Sequence, residues 1–148
     1  MTDMRLHLEG LTYDASRFHS GYTVGGILYV TIGDTPFPGE QWYDIPFTDL
    51  KIWIPRILSF GRNHTDSCQL SFMDGPCQIR LLRHDDGKIC VSCLRDQHIE
   101  IQNAEIDFPS FLNSVAKCAR EYDRFLYING SSSLFHDEIS AIKALLSA

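Results

Sequence analysis

The sequence predicts an α+β fold: an antiparallel sheet of about six strands with two to three helices packed on it. Between Cys68 and Ile106 apolar and polar residues alternate in short runs divided by turn residues, the period of a strand with one buried face. From Phe111 to Leu126 apolar residues return every three or four positions, the period of a helix. The strand-like and helix-like patterns occupy separate parts of the chain, as they do in a single α+β domain over residues 1–148.

Taken in order, Met4 to Leu8, with Leu11, alternates as a first strand whose Arg5, His7 and Glu9 face water. Residues 12–21 are polar and irregular. Val24 to Ile32 is a continuous apolar run rich in β-branched residues, a second strand. Its Gly25-Gly26 pair marks a bulge or a close approach by another group. Gly33-Asp34-Thr35-Pro36 ends it. A helix over 48–60 follows, with Leu50, Trp53, Ile54, Ile57 and Leu58 on one stripe. Thr48 or Asp44 is placed to cap it, and Pro46 suits a first turn. Pro55 implies a kink, or the start of a second short helix.

Cys68–Phe72, Cys77–Leu81, Ile89–Cys93 and His98–Ile106 are the next strands, an antiparallel meander. Asp74-Gly75-Pro76, Asp85-Asp86-Gly87 and Arg95-Asp96-Gln97 are its turns, the second a strong hairpin signal. Ile99, Ile101, Ala104 and Ile106 are expected to point inward. Asp107 or Ser110 caps a helix over 109–128 that Asn129-Gly130 stops. The last helix spans 134–147, with Phe135, Ile139, Ile142, Leu145 and Leu146 on one face and Asp137 and Glu138 in its first turn.

A chain of 148 residues with 44% apolar and 22% charged residues suits one domain able to bury a sizeable core. No apolar run is long enough to span a membrane, and the opening residues carry no signal-peptide pattern, so a cytoplasmic protein is expected. Five cysteines without the spacing of a disulfide framework read as reduced core thiols. A net charge of −6 disfavours direct contact with nucleic acid and favours a basic partner.

The segment from Asp34 to Phe60 stands apart. It holds both tryptophans, and from Asp34 to Asp49 it carries Asp34, Glu40, Asp44 and Asp49 with no Lys or Arg. Core filling accounts for Trp53; Trp42, in a proline-rich loop, is either core or an exposed anchor. Carboxylates beside aromatic rings are what a basic protein partner requires: rings supply buried area and charges speed encounter. Glu40, Trp42, Tyr43, Asp44 and Asp49 are the candidate partner-binding residues.

Chemistry-bearing patterns are few. Cys90-Val-Ser-Cys93 matches C-x-x-C, but within a strand residues three apart point to opposite faces, which suits neither zinc nor a redox pair. His64 lies near Asp66, and His19 near Asp14, as candidate acid–base pairs. No nucleophile elbow, phosphate loop, dinucleotide fingerprint or zinc-protease motif is present. A binding protein is therefore expected, not an enzyme, with no metal or cofactor. The competing expectation is a small-ligand or hydrolytic domain using His64, Asp66 and the acidic loop.

Phe37-Pro38, Trp42-x-Asp44-x-Pro46, Leu50, Trp53 and Phe72-Met73-Asp74-Gly75-Pro76 together resemble immunity proteins of bacterial contact-dependent growth inhibition and related polymorphic toxin systems. The resemblance covers roughly residues 25–110 and includes no catalytic residue. It implies a stoichiometric inhibitor of a cognate toxin domain, often a basic nuclease, with acidic side chains standing where nucleic-acid phosphates would be.

Overall fold

The computed structural model describes residues 1–13 and 24–148. Among the described residues there are eight strands in two antiparallel sheets and three helices, an α+β fold. In the first sheet β1 (Met4–Tyr13) pairs with β2 (Val24–Ile32). Two short strands, β3 (Thr35–Phe37) and β4 (Tyr43–Asp44), share the other edge of β2. The second sheet is the expected meander, in the order β5 (Ser67–Ser71), β6 (Cys77–Arg83), β7 (Ile89–Arg95), β8 (His98–Glu105). One parallel bridge, Thr2 to Ile106, joins the sheets edge to edge. The expected single sheet of six strands is thus two sheets, and the stretch after Ile32 doubles back along β2 instead of leaving it.

The glycine pair in β2 serves both roles expected of it. The register shifts in β1 between Glu9 and Thr12, opposite Gly26, where Gly10 takes φ +57°. Over Gly25 lies the Tyr43 ring; a Cβ there would fall 1.8 Å from Tyr43 Oη. A side chain at position 25 would have to displace that ring.

Helix α1 (Pro46–Gly61) starts earlier than expected and runs unbroken through Pro55. Pro55 faces solvent, where the carbonyl left without its partner can bond to water. Neither Thr48 nor Asp44 makes the expected side-chain cap; Ile45 holds the cap position without one. At the other end α1 has no basic residue of its own. Arg83 of β6 supplies the charge, donating to Phe60 O at 2.8 Å and to Thr65 O at 3.0 Å while its guanidinium covers the Phe60 ring. A cation at a helix C-terminus is stabilising.

Helix α2 (Phe108–Ile128) is capped by Asp107, which accepts from the N–H and hydroxyl of Ser110, and ends at Asn129 before Gly130 at φ +81°. It lies along the free edge of β1. Leu6 N–H donates to Ser114 Oγ at 2.8 Å and Leu6 O accepts from Cys118 Sγ at 3.4 Å, so the helix covers the exposed edge groups of a strand. Helix α3 (His136–Ser147) is docked by Asp123 of α2, which accepts from Leu134 N and Phe135 N. Buried side chains from both sheets and all three helices form one cluster, with Trp53, Phe60, Phe111, Tyr122 and Phe135 among its largest members.

The strand expectations hold for Cys68, Leu70, Phe72, Cys77, Ile79, Leu81, Val91 and Cys93, all buried. They fail in β8, where Ile99 is 53% exposed and Ile101 and Ala104 are only half-buried. Two register shifts between β7 and β8 break the alternation that would have turned Ile99 inward.

Replacing Asp123 with Ala leaves the Leu134 and Phe135 N–H groups without their acceptor. A loss of about 2 kcal/mol in urea-unfolding free energy is expected. An unchanged midpoint and slope would show that these two bonds do not hold α3.

Candidate functional site

Asp44 sits at the junction of β4, α1 and the turn between β5 and β6. Its Oδ1 accepts from Ile45 N at 2.7 Å and from Met73 N at 3.2 Å. Its Oδ2 accepts from Trp42 Nε1 at 3.1 Å and from Asp74 N at 3.3 Å. Asp49, one turn into α1, shares the Met73 donor through Oδ1 at 3.1 Å. Both carboxyl groups are buried, at 1% and 0% exposure. They are therefore not part of an exposed acidic lip, as their letters in the sequence led us to expect. The reason is non-local: the turn from Phe72 to Pro76 folds onto them and supplies backbone donors 24 to 30 residues away.

Two carboxyl groups sharing one N–H cannot both stay charged in a buried site. Burial raises the Asp49 pKa to about 9, helped by a hydrogen bond to Asp44 and by its negative charge, while the Met73 N–H works the other way. Burial and the neighbouring Asp44 thus favour the protonated form of Asp49 at neutral pH. Its Oδ2 is buried with no hydrogen-bond partner among the described residues, as suits a carboxyl group that burial keeps uncharged.

The segments that meet at this pair carry exposed apolar side chains, the rim. Tyr43 and Ile45 flank Asp44 in the chain, Met73 donates to it, and Ile52 stands one turn beyond Asp49; their exposures are 58%, 37%, 44% and 38%. Trp42 is half-buried, with its indole tied to Asp44 and its six-membered ring against Gly75. Glu40 and Asp74 are the exposed acids beside it, whereas Asp34 is exposed in the turn between β2 and β3. Trp42 N–H donates to Gly39 O and its carbonyl accepts from Leu28 N, which fixes the loop to β2. The other anchor is Arg95 of β7. It donates to Pro38 O, reaches over Phe37 and Trp42, and pairs with Glu100 at 2.6 Å. A loop without basic residues therefore has a guanidinium beneath it, brought from 57 residues away.

Of the five sequence-expected contact residues, Glu40 and Tyr43 are exposed, Trp42 is partly so, and Asp44 and Asp49 are interior supports. The sequence reading missed Ile45, Ile52, Met73 and Asp74. The Phe72–Pro76 turn was visible, but nothing local showed where it docks.

The competing His64 and Asp66 site is not assembled with this loop. Both follow the end of α1, whose 16 residues put about 24 Å between them and Asp44. Asp66 instead faces Arg83 at 3.9 Å, and the His64 N–H closes the helix end on Ser59 O. His19 and Asp14 lie outside the described residues. Cys90 and Cys93 point to opposite faces of the second sheet. Burial pushes the Cys93 thiol up to about 12 and that of Cys68 to about 11, which keeps both as inert thiols. Among the described residues no group of three or more His, Cys, Asp and Glu side chains could hold a metal, and no helix is long and apolar enough to cross a membrane.

The pair makes opposite predictions for two isosteric changes. Asp49→Asn removes the titrating group, and its oxygen still accepts from Met73. Because the folded pKa of Asp49 is raised from 3.8 to about 9, the folded state holds the extra proton. The stability this gives is full below the unfolded value and is lost as pH rises through the folded one. Unfolding titrations from pH 5 to 9 should show wild type weakening with pH and Asp49→Asn holding level. Asp44→Asn removes a charged acceptor from four donors and should cost about 3 kcal/mol at pH 7. Equal pH slopes for wild type and Asp49→Asn would contradict the protonated Asp49.

No family model, curated protein or solved structure gave a significant match to this chain.

Proposed function

We propose that this chain is a binding protein that neutralises a basic partner, a toxin domain of the nuclease type, through the rim around Asp44 and Asp49. The observation that supports this reading is that exposed Tyr43, Ile45, Ile52 and Met73 belong to the segments held by the buried Asp44 and Asp49, which also carry the exposed acids Glu40 and Asp74. An apolar centre with a charged margin is the usual anatomy of a protein interface. The buried bonds at Asp44 hold the rim before a partner arrives, which lowers the ordering cost of binding. The sequence resemblance to toxin-immunity proteins supplies the class of partner. A net charge of −6 supplies the attraction to a basic one. In this reading the protein acts in the cytoplasm, needs no cofactor, performs no reaction and does not touch nucleic acid itself.

The test is growth rescue. A toxin C-terminal domain encoded beside this chain is expressed with and without it, and binding of the purified pair is measured. Wild type should restore growth, and Tyr43→Ala with Met73→Ala should weaken binding by about 2 kcal/mol or more. Glu40→Lys should chiefly slow association and reduce its salt dependence. Failure to rescue excludes the immunity reading; rescue undiminished in the rim variants moves the interface elsewhere.

A further inference from the structure

Cys90 and Leu94 are buried, at 8% and 4% exposure, yet neither belongs to the core cluster. The register explains where they are. Leu82 pairs with Cys90, Arg80 with Ser92 and Gln78 with Leu94, all on the face of the second sheet turned away from Ile79, Leu81, Val91 and Cys93. Residues on the outer face of a sheet are buried only when something rises around them.

Here β8 does so. Its two register shifts and the left-handed Asn103, at φ +53°, carry the strand over that face. Asn103 N–H donates to Ser92 Oγ at 2.9 Å, and Asn103 Oδ1 meets His84 Nε2 at 3.2 Å. The result is a groove of about 390 Å³ floored by Cys90 and Leu94. Leu82 and Ile99, at 45% and 53% exposure, stand on opposite walls. That volume suits a small organic molecule.

The polar lining sets the charge of such a molecule. No acidic side chain lines the groove itself; Glu105, paired with Cys90 across β7 and β8, and Asp86 stand near that end of the floor. Arg80 does line it, and among the described residues its guanidinium is in no salt bridge, as is also true of Arg56, Arg62, Arg120 and Arg124. Amides of Gln69, Gln102 and Asn103 stand with it. A guanidinium matches a carboxylate by paired N–H bonds, and an apolar floor matches an alkyl chain.

The geometry points to this groove as a binding site for a small amphipathic carboxylate, with its head on Arg80 and its alkyl chain over Cys90 and Leu94. The site is separate from the rim at Asp44, and neither reading depends on the other. Burial raises the Cys90 thiol, so it serves as floor and not as nucleophile.

Methyl NMR on the intact chain tests this with octanoate, octylamine and octanol at pH 7. Octanoate should shift the methyls of Leu82, Leu94 and Ile99 saturably, with a dissociation constant below about 1 mM. Octylamine and octanol should bind at least about tenfold more weakly. Arg80→Gln, at an exposed position, should keep the fold and weaken octanoate by about tenfold or more, with Arg80→Lys in between. Equal binding of the three probes, shifts centred on other methyls, no saturation, or an Arg80→Gln protein that binds octanoate as wild type does would each overturn the assignment.

Discussion

One carboxyl group ties three separate parts of this molecule together. Asp44 accepts from its own neighbour at the start of α1, from the indole two residues before it, and from two backbone N–H groups of the β5–β6 turn. It therefore joins the first sheet, the first helix and the second sheet at a single buried point. Asp49 completes the junction by meeting the same Met73 N–H, and as a neutral acid it avoids the repulsion of a second charge. Tyr43, Ile45 and Met73 can remain exposed and ordered because each is a chain neighbour of, or a donor to, that junction. An apolar rim on free loops would have to be ordered by its partner; this one is ordered by its own base.

Much of the fold was legible locally. Alternation placed β5, β6 and β7, and Asp107, Ser110, Asn129 and Gly130 marked the ends of α2, because strand faces and helix caps are set by residues a few positions apart. The Gly25-Gly26 pair signalled crowding, and Tyr43 and Leu11 crowd it. What was not legible depends on distant partners. Asp44 and Asp49 have the same letters as solvated acids, and only the arrival of Met73 and Asp74 makes them interior. The same holds for Arg83, which closes α1 from another sheet, and for Arg95 beneath the acidic loop. Ile99 was misjudged for a different reason: two register shifts between β7 and β8 break a period that the strand signal assumes.

Charge follows the same division. The local count between Asp34 and Asp49 is wholly acidic, yet two of those four acids are withdrawn and Arg95 stands below the loop. What reaches solvent near the rim is Glu40 and Asp74 around aromatic and aliphatic side chains. The segment therefore shows solvent two carboxylates and a few apolar side chains, not the four carboxylates that its letters suggest.

The most direct measurement is the carboxyl carbon resonance of Asp49 followed through a pH titration of the folded protein. A buried acid beside Asp44 predicts a protonated carboxyl at pH 7, losing its proton near pH 9. An Asp49 already ionised at pH 7, with its transition in the ordinary carboxylate range, would contradict the neutral acid and with it the rigid base on which the rim is built.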